Sequence, residues 1–196
     1  MGLIRAALAA TLLGACLTGP GPARAADREP LFDGRTFAGW EGDVDGVWKI
    51  VDGAIVGGST DVLQERSDFL CTERSFGDFD LRLSIKLEGT EGFVNSGIQF
   101  RSERLPRDRD VSGYQADFGR GFEGALYDQS RRNRVLARPA ADVVAGASKP
   151  GDWNHYRILA QGPRIRLFLN GVETVDYTEA DPGIATSGVI GLQIHG

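Results

Sequence analysis

The stretch whose reading decides the fold runs from Asn95 to Phe118. It reads Asn95-Ser96-Gly97-Ile98-Gln99-Phe100-Arg101, then a charged loop, then Gly113-Tyr114-Gln115-Ala116-Asp117-Phe118. Each half alternates, the pattern of a strand with one face against a core. Ile98 and Phe100 point one way; Gly97, Gln99 and Arg101 point the other. Tyr114, Ala116 and Phe118 point one way; Gln115 and Asp117 point the other. If the two strands share a sheet, an amide, a guanidinium and a carboxylate meet on one face. A strand that needed only solubility would carry Lys, Thr and Glu there. This face is therefore the expected floor of a binding site.

The flanking sequence repeats the strand pattern. Asp80 to Glu88 is the clearest case, with Leu81, Leu83, Ile85 and Leu87 on a core side and Arg82, Ser84 and Lys86 on a wet side. Val47 to Gly58 holds two apolar runs split by Asp52-Gly53, a hairpin signal because both residues tolerate positive φ. Pro30 to Gly34 reads as a strand entering a turn. Phe69 to Thr72, Gly124 to Asp128, Asn154 to Ala160 and Arg164 to Leu169 read as further strands. After Asn170-Gly171, Val172 to Tyr177 and Gly188 to His195 complete the set, and Pro139 to Pro150 is a small-residue loop. In the last strand Leu192 and Ile194 face one way, Gln193 and His195 the other. Roughly a dozen short antiparallel strands with no helix predict an all-β, two-sheet antiparallel jelly-roll sandwich.

The chain has 196 residues, enough for one domain with a sizeable core. A net charge of −5 and a pI near 5.1 give no electrostatic footprint for nucleic acid. The 27 glycines suit tight turns between short strands. Residues 1–25 read as an export signal: a positive start, then an apolar run from Ala6 to Leu17, too short to span a bilayer. Ala23-Arg24-Ala25 fits cleavage before Ala26, leaving residues 26–196 as a single domain. Leu13-Gly14-Ala15-Cys16 offers the alternative of a lipoprotein signal with lipid on Cys16, the only expected tie to a membrane. Either way the domain is expected to be exported, periplasmic or extracellular. Cys71 is then the one cysteine left and reads as a small buried residue.

Several short motifs occur in order: Leu31-Phe32-Asp33-Gly34 with Gly39-Trp40, Phe76-Gly77-Asp78-Phe79-Asp80-Leu81, Asn95-Ser96-Gly97-Ile98 with Arg101, Trp153-Asn154, Leu169-Asn170-Gly171, and Gly191-Leu192-Gln193-Ile194-His195-Gly196. As an ordered set over about residues 30–196 they resemble the 3-keto-disaccharide hydrolase family, also known as domain of unknown function 1080. The resemblance implies a concanavalin A-like sandwich, shared with lectins and laminin G modules. It also implies cleavage of glycosides already oxidised to a ketone at sugar carbon 3. Two departures stand out. Relatives carry Gly-x-Glu-x-Gln where this chain has Gly113-Tyr114-Gln115-Ala116-Asp117, so the carboxylate sits two residues along the same face. Relatives also continue one strand past the His-Gly, so this domain is expected to lack its closing strand.

The chemistry sets what the site must hold. A ketone at carbon 3 acidifies the proton on carbon 2, and the glycosidic oxygen on carbon 1 lies β to that ketone. A base working near neutral pH and a donor for the enolate oxygen suffice, without two opposed carboxyl groups. Asp117 and His195 are the base candidates, Arg101 the candidate enolate holder, and Glu123 a substitute for the family's missing glutamate. Asn95, Gln99, Gln115, Gln193 and Tyr127 are the candidate sugar binders. The sequence specifies no cofactor; a divalent metal could find ligands in His195, Asp117 and Glu123, although no His-x-His or His-Glu-x-x-His spacing is present. Arg131, Arg132 and Arg134 read either as a solvated loop or as a ligand rim. Trp48 and Trp153 read as core, His155 as a packing residue, and Trp40 as either core or sugar platform. Two functions fit: an enzyme acting on an oligosaccharide or glycoside, by hydrolysis or by elimination and hydration, and a non-catalytic carbohydrate-binding module of the same fold.

Overall fold

A computed structural model describes residues 29–62, 64–89, 92–105 and 110–195, together with the backbone of 3–7. Cys16, the Ala23-Arg24-Ala25 site and Gly196 lie outside the described residues. Among those described, fourteen strands and one short helix build two sheets of seven strands each. Every strand pairing is antiparallel. The expected sandwich is the observed one.

In chain order the strands are β1 (Leu3–Ala7), β2 (Trp40–Glu41), β3 (Trp48–Val51), β4 (Ala54–Gly57), β5 (Asp68–Thr72), β6 (Phe79–Glu88), β7 (Ser96–Leu105), β8 (Asp110–Asp117), β9 (Leu126–Gln129), β10 (Arg134–Ala137), β11 (Asn154–Gln161), β12 (Arg164–Leu169), β13 (Val172–Thr178) and β14 (Val189–Ile194). One sheet runs β13-β12-β11-β6-β1-β4-β3 and the other β10-β9-β8-β7-β14-β5-β2. Their facing sides form one core. Leu81, Leu83 and Ile85 of β6, with Tyr156 and Ile158 of β11, meet Ile98, Phe100, Tyr114, Ala116, Leu192 and Ile194 of the other sheet. The alternation that defined each strand thus sorts its residues into the interior and the outer faces.

The turns follow their chemistry. Asp52 and Gly53 take φ of 52° and 74°, and Asn170 and Gly171 take 50° and 85°, the left-handed pairs that close two-residue hairpins. Three local expectations differ. Residues 30–34 form no strand, because the Asp33 carboxylate accepts hydrogen bonds from the Arg35 and Thr36 amides and folds the chain back on itself. Within the expected loop Pro139–Pro150, Ala141–Ala147 forms a helix, α1. Leu3–Ala7 falls in the segment expected to stand outside the domain. In the structure it lies between β4 and β6 and pairs with both, filling a gap one strand wide whose edges present unpaired backbone groups.

A bulge between β7 and β8 decides which side chains reach the outer face. Phe100 pairs with Tyr114 and Glu103 with Ser112, so Arg101 and Ser102 together oppose the single residue Gly113. Arg101 takes a left-handed φ of 48°, unfavourable for a side chain with Cβ. Gly113 is dictated by the close approach: a Cβ there would lie 2.6 Å from Ser102 Cα. Gly113→Ala is therefore expected to destabilise the fold by about 1–3 kcal/mol. The check is a lower denaturant midpoint at unchanged slope, against Gly146→Ala as a control, where nothing lies within 4 Å.

Candidate functional site

The outer face of the second sheet carries the residues that alternate with its core. Toward one end they are apolar, with Phe69, Cys71, Val111 and Val189 forming a small separate cluster. Toward the other end they are amides and a carboxylate. There a pocket of about 250 Å³ is lined by Phe93, Asn95, Gln115, Asp117, Phe122, Tyr127, Gln129, Gln193 and His195. Its floor comes from three neighbouring strands, in which Gln115 and Asp117 of β8 lie beside Gly97 and Gln99 of β7, and Gln193 of β14 lies beside Gly97. Tyr127 of β9 is in register with Gln115. Gly97 opens this floor, because a Cβ at that position would come within 2.4 Å of Gln115 Nε2.

Hydrogen bonds fix the floor. Asn95 Nδ2 donates to Asp117 Oδ1 at 3.0 Å. Ser102 Oγ donates to Gln99 Oε1 at 3.1 Å, Gln99 Nε2 donates to Gln115 Oε1, and Gln115 Nε2 donates to Gln193 Oε1 at 3.0 Å. This buried row of polar side chains runs in one direction and ends on Gln193 at the pocket. Asn95, Gln99, Gln115, Asp117 and Gln193 are all at most 5% exposed.

Asp117 is the electrostatic centre. Burial pushes its carboxyl up to about 7, although hydrogen bonds from Asn95, Gln115 and the Phe118 amide pull it down; the charge of Glu123 adds to the rise. Tyr127 is also held above its ordinary range, first by burial and then by Asp117 and Asp128, so its phenol stays a donor at neutral pH. His195 borders the pocket with its ring edge-on to Phe93, centroids 4.8 Å apart.

The sequence-predicted residues divide. The structure brings together Asp117, His195, Asn95, Gln115, Tyr127 and Gln193. Gln99 sits one layer behind, where it orients Gln115. Glu123 does not line the pocket; its carboxylate accepts from the Gly121 amide, and it reaches Asp117 only through its charge. Arg101 is not in the site. The bulge turns it away, and its guanidinium donates to Gly77 O at 3.1 Å, Gly162 O at 2.6 Å and Asp78 Oδ1 at 2.9 Å. Among the described residues no group of three or more His, Cys, Asp and Glu is arranged to hold a metal ion, so His195, Asp117 and Glu123 do not form the donor set considered from sequence.

The other candidates resolve into packing. Arg131 and Arg132 turn to the buried Asp128, and Arg132 also to Glu179, instead of forming a rim. Trp40 is buried and donates to Leu31 O at 2.6 Å, and Trp48 is buried and donates to Asp68 at 2.6 Å. His155 meets Ser84 Oγ at 2.9 Å. Phe93, Phe122 and Gln129 line the pocket without having been singled out. A larger hollow of about 480 Å³ lies beyond the apolar cluster, bordered by Glu41, Asp43, Asp68 and Arg104. There Asp68 serves Trp48 and Arg104 grips the Glu41 carbonyl, so those groups support packing.

Residues 27–196 match the model of the 3-keto-alpha-glucoside-1,2-lyase-like domain. The chain belongs to this family. Solved structures of the same fold include the carbohydrate-binding module CBM66 from Bacillus subtilis, 18% identical with a TM-score of 0.59 over 80% of this chain and 88% of that one. Two proteins assigned as glycosyl hydrolases from Parabacteroides distasonis are also similar. One is 20% identical with a TM-score of 0.63, covering 86% of this chain and 87% of its own. The other is 21% identical with a TM-score of 0.60, covering 86% and 91%. At these identities the likeness establishes the fold. No curated protein matches the sequence. Family and fold together place the lyase-like domain among carbohydrate-related, glycosidase-like or carbohydrate-binding proteins.

The raised Asp117 carboxyl carries a stability cost with a definite sign. The native group keeps its proton up to about 7, whereas the unfolded one releases it near 3.8. Between those values the unfolded state binds fewer protons, so stability falls as pH rises and is level on either side. Asp117→Asn should abolish this slope. Its stability relative to wild type is expected to be unchanged near pH 3.5 and higher by on the order of a few kcal/mol at pH 8, read from denaturant melts at both pH values.

Proposed function

We propose that this lyase-like domain is an exported enzyme that cleaves 3-keto glycosides by elimination across carbons 1 and 2, with water adding afterwards to complete hydrolysis. The observation that carries this reading is Asp117, a buried carboxyl of near-neutral proton affinity on an amide-lined floor. The positive start and apolar run read in residues 1–25 support export, against which stands the pairing of Leu3–Ala7 with β4 and β6.

The ionised Asp117 removes the proton from carbon 2, and the electron pair moves onto the carbon 3 oxygen. Amide N–H groups of the floor, with the Tyr127 phenol, supply donors for that enolate in the place expected of Arg101. The pair then returns, the carbon 1–oxygen bond breaks and a carbon 1–carbon 2 double bond forms. The departing oxygen takes the proton that Asp117 holds. Water adds across the double bond to give the free sugar. His195 is placed at the pocket wall to assist at the leaving oxygen or the water. A module that only binds sugar needs the amides but has no use for a base poised near pH 7.

The test is purified protein with a 3-keto glucoside and with its unoxidised parent. Release from the first alone is expected; binding of either without release would favour the carbohydrate-binding module. Asp117→Asn should lower kcat by roughly 10²–10⁴-fold with little change in KM. Because the base must be ionised, wild-type kcat/KM should climb with pH and level off above about 7. A flat profile from pH 5 to 9 would remove Asp117 from the role.

A further inference from the structure

The pocket's 250 Å³ lies below the roughly 300–1,000 Å³ of drug-sized ligand sites, room on its floor for about one hexose ring. The polar floor lies at the bottom, with Asp117 in it. A glycoside whose reacting ring sits on that floor must send its carbon 1 substituent out through the mouth.

The mouth is aromatic. Phe93 is 53% exposed and is the one aromatic among the large hydrophobic side chains that are exposed in the described residues. It is held in place, with its ring edge-to-face to Phe122 at 6.1 Å and to His195 at 4.8 Å. Phe122 is in turn covered by the Arg138 guanidinium at 5.2 Å. A ring so exposed, braced by two others at the edge of a polar pocket, is a preformed flat apolar contact for whatever projects from that pocket. Its braced position means little side-chain entropy is lost when that contact forms.

We propose that Phe93, backed by Phe122 and His195, forms a leaving-group subsite that favours substituents with a flat apolar face, such as aryl groups, over small alkyl ones. This rests on the reading of the pocket as the site of 3-keto glycosides. Stacking or edge contact on the exposed ring supplies the preference.

The experiment compares phenyl and methyl 3-keto-α-glucosides on wild type, Phe93→Ala and Phe93→Trp. Using the ratio of kcat/KM for the two substrates within each protein cancels effects common to both. The phenyl-to-methyl ratio is expected to fall about tenfold in Phe93→Ala and to be kept in Phe93→Trp. A ratio that stays within twofold of wild type in Phe93→Ala overturns the subsite. If wild type releases neither aglycone, the catalytic reading has failed, and the same ratio is read from dissociation constants by calorimetry. A tenfold fall there upholds the subsite, and an unchanged ratio ends it.

Discussion

A carboxyl group taken out of water without a cation beside it is the constraint on which the site depends. Asp117 is 4% exposed, and among the described residues none that lines its pocket is Lys or Arg. A guanidinium at hydrogen-bond distance would favour the charged form and return the group to the ordinary carboxylate range. Amides do less. They stabilise the anion enough for it to exist, and leave its proton affinity near neutrality. The absence of Arg101 from the floor is thus part of what keeps the Asp117 carboxyl above the ordinary carboxylate range.

The scaffold produces this environment by ordinary means. Two sheets bury their facing sides, and the outer side of one collects every second residue of β7, β8 and β14. Those residues are Gln99, Gln115 and Gln193, joined with Ser102 in one directed row. Gln99 and Gln115 each donate to the next amide in the row, which limits the cost of buried unpaired polar groups and fixes which atoms face the pocket. Gly97 keeps the centre of the row open. The pocket wall comes instead from connecting segments, with Phe93 before β7 and Phe122 before β9. Rigid strands therefore hold the polar atoms, and loops supply the apolar surround.

Much of this was legible in the chain. Period-two alternation found most strands, and the polar members of Gly97–Gln99, Gln115–Asp117 and Gln193–His195 did fall on one face. The failure at Arg101 has a definite origin. Counting alternate residues assumes an unbroken register, and the pairing of Arg101 and Ser102 with the single residue Gly113 breaks it at Arg101 itself, turning that side chain off the polar face. Nothing in the composition of Arg101-Ser102 announces a bulge; only the glycine opposite hints at one. Phe93 and Phe122 escaped because loop residues have no period to betray their direction. Trp40 was open from sequence, and its indole donor to Leu31 closes the question in favour of packing.

Arg101 has a different part to play in the molecule. Its guanidinium is satisfied by groups 23 to 61 residues away in the chain, at Gly77, Asp78 and Gly162. None of those bonds can form until the β6 and β11–β12 segments have arrived, yet the left-handed φ of 48° must be held from then on. The kink in β7 is thereby tied to the turn before β6 and to the β11–β12 turn, so the Arg101 clamp links the register of one sheet to the connections of the other.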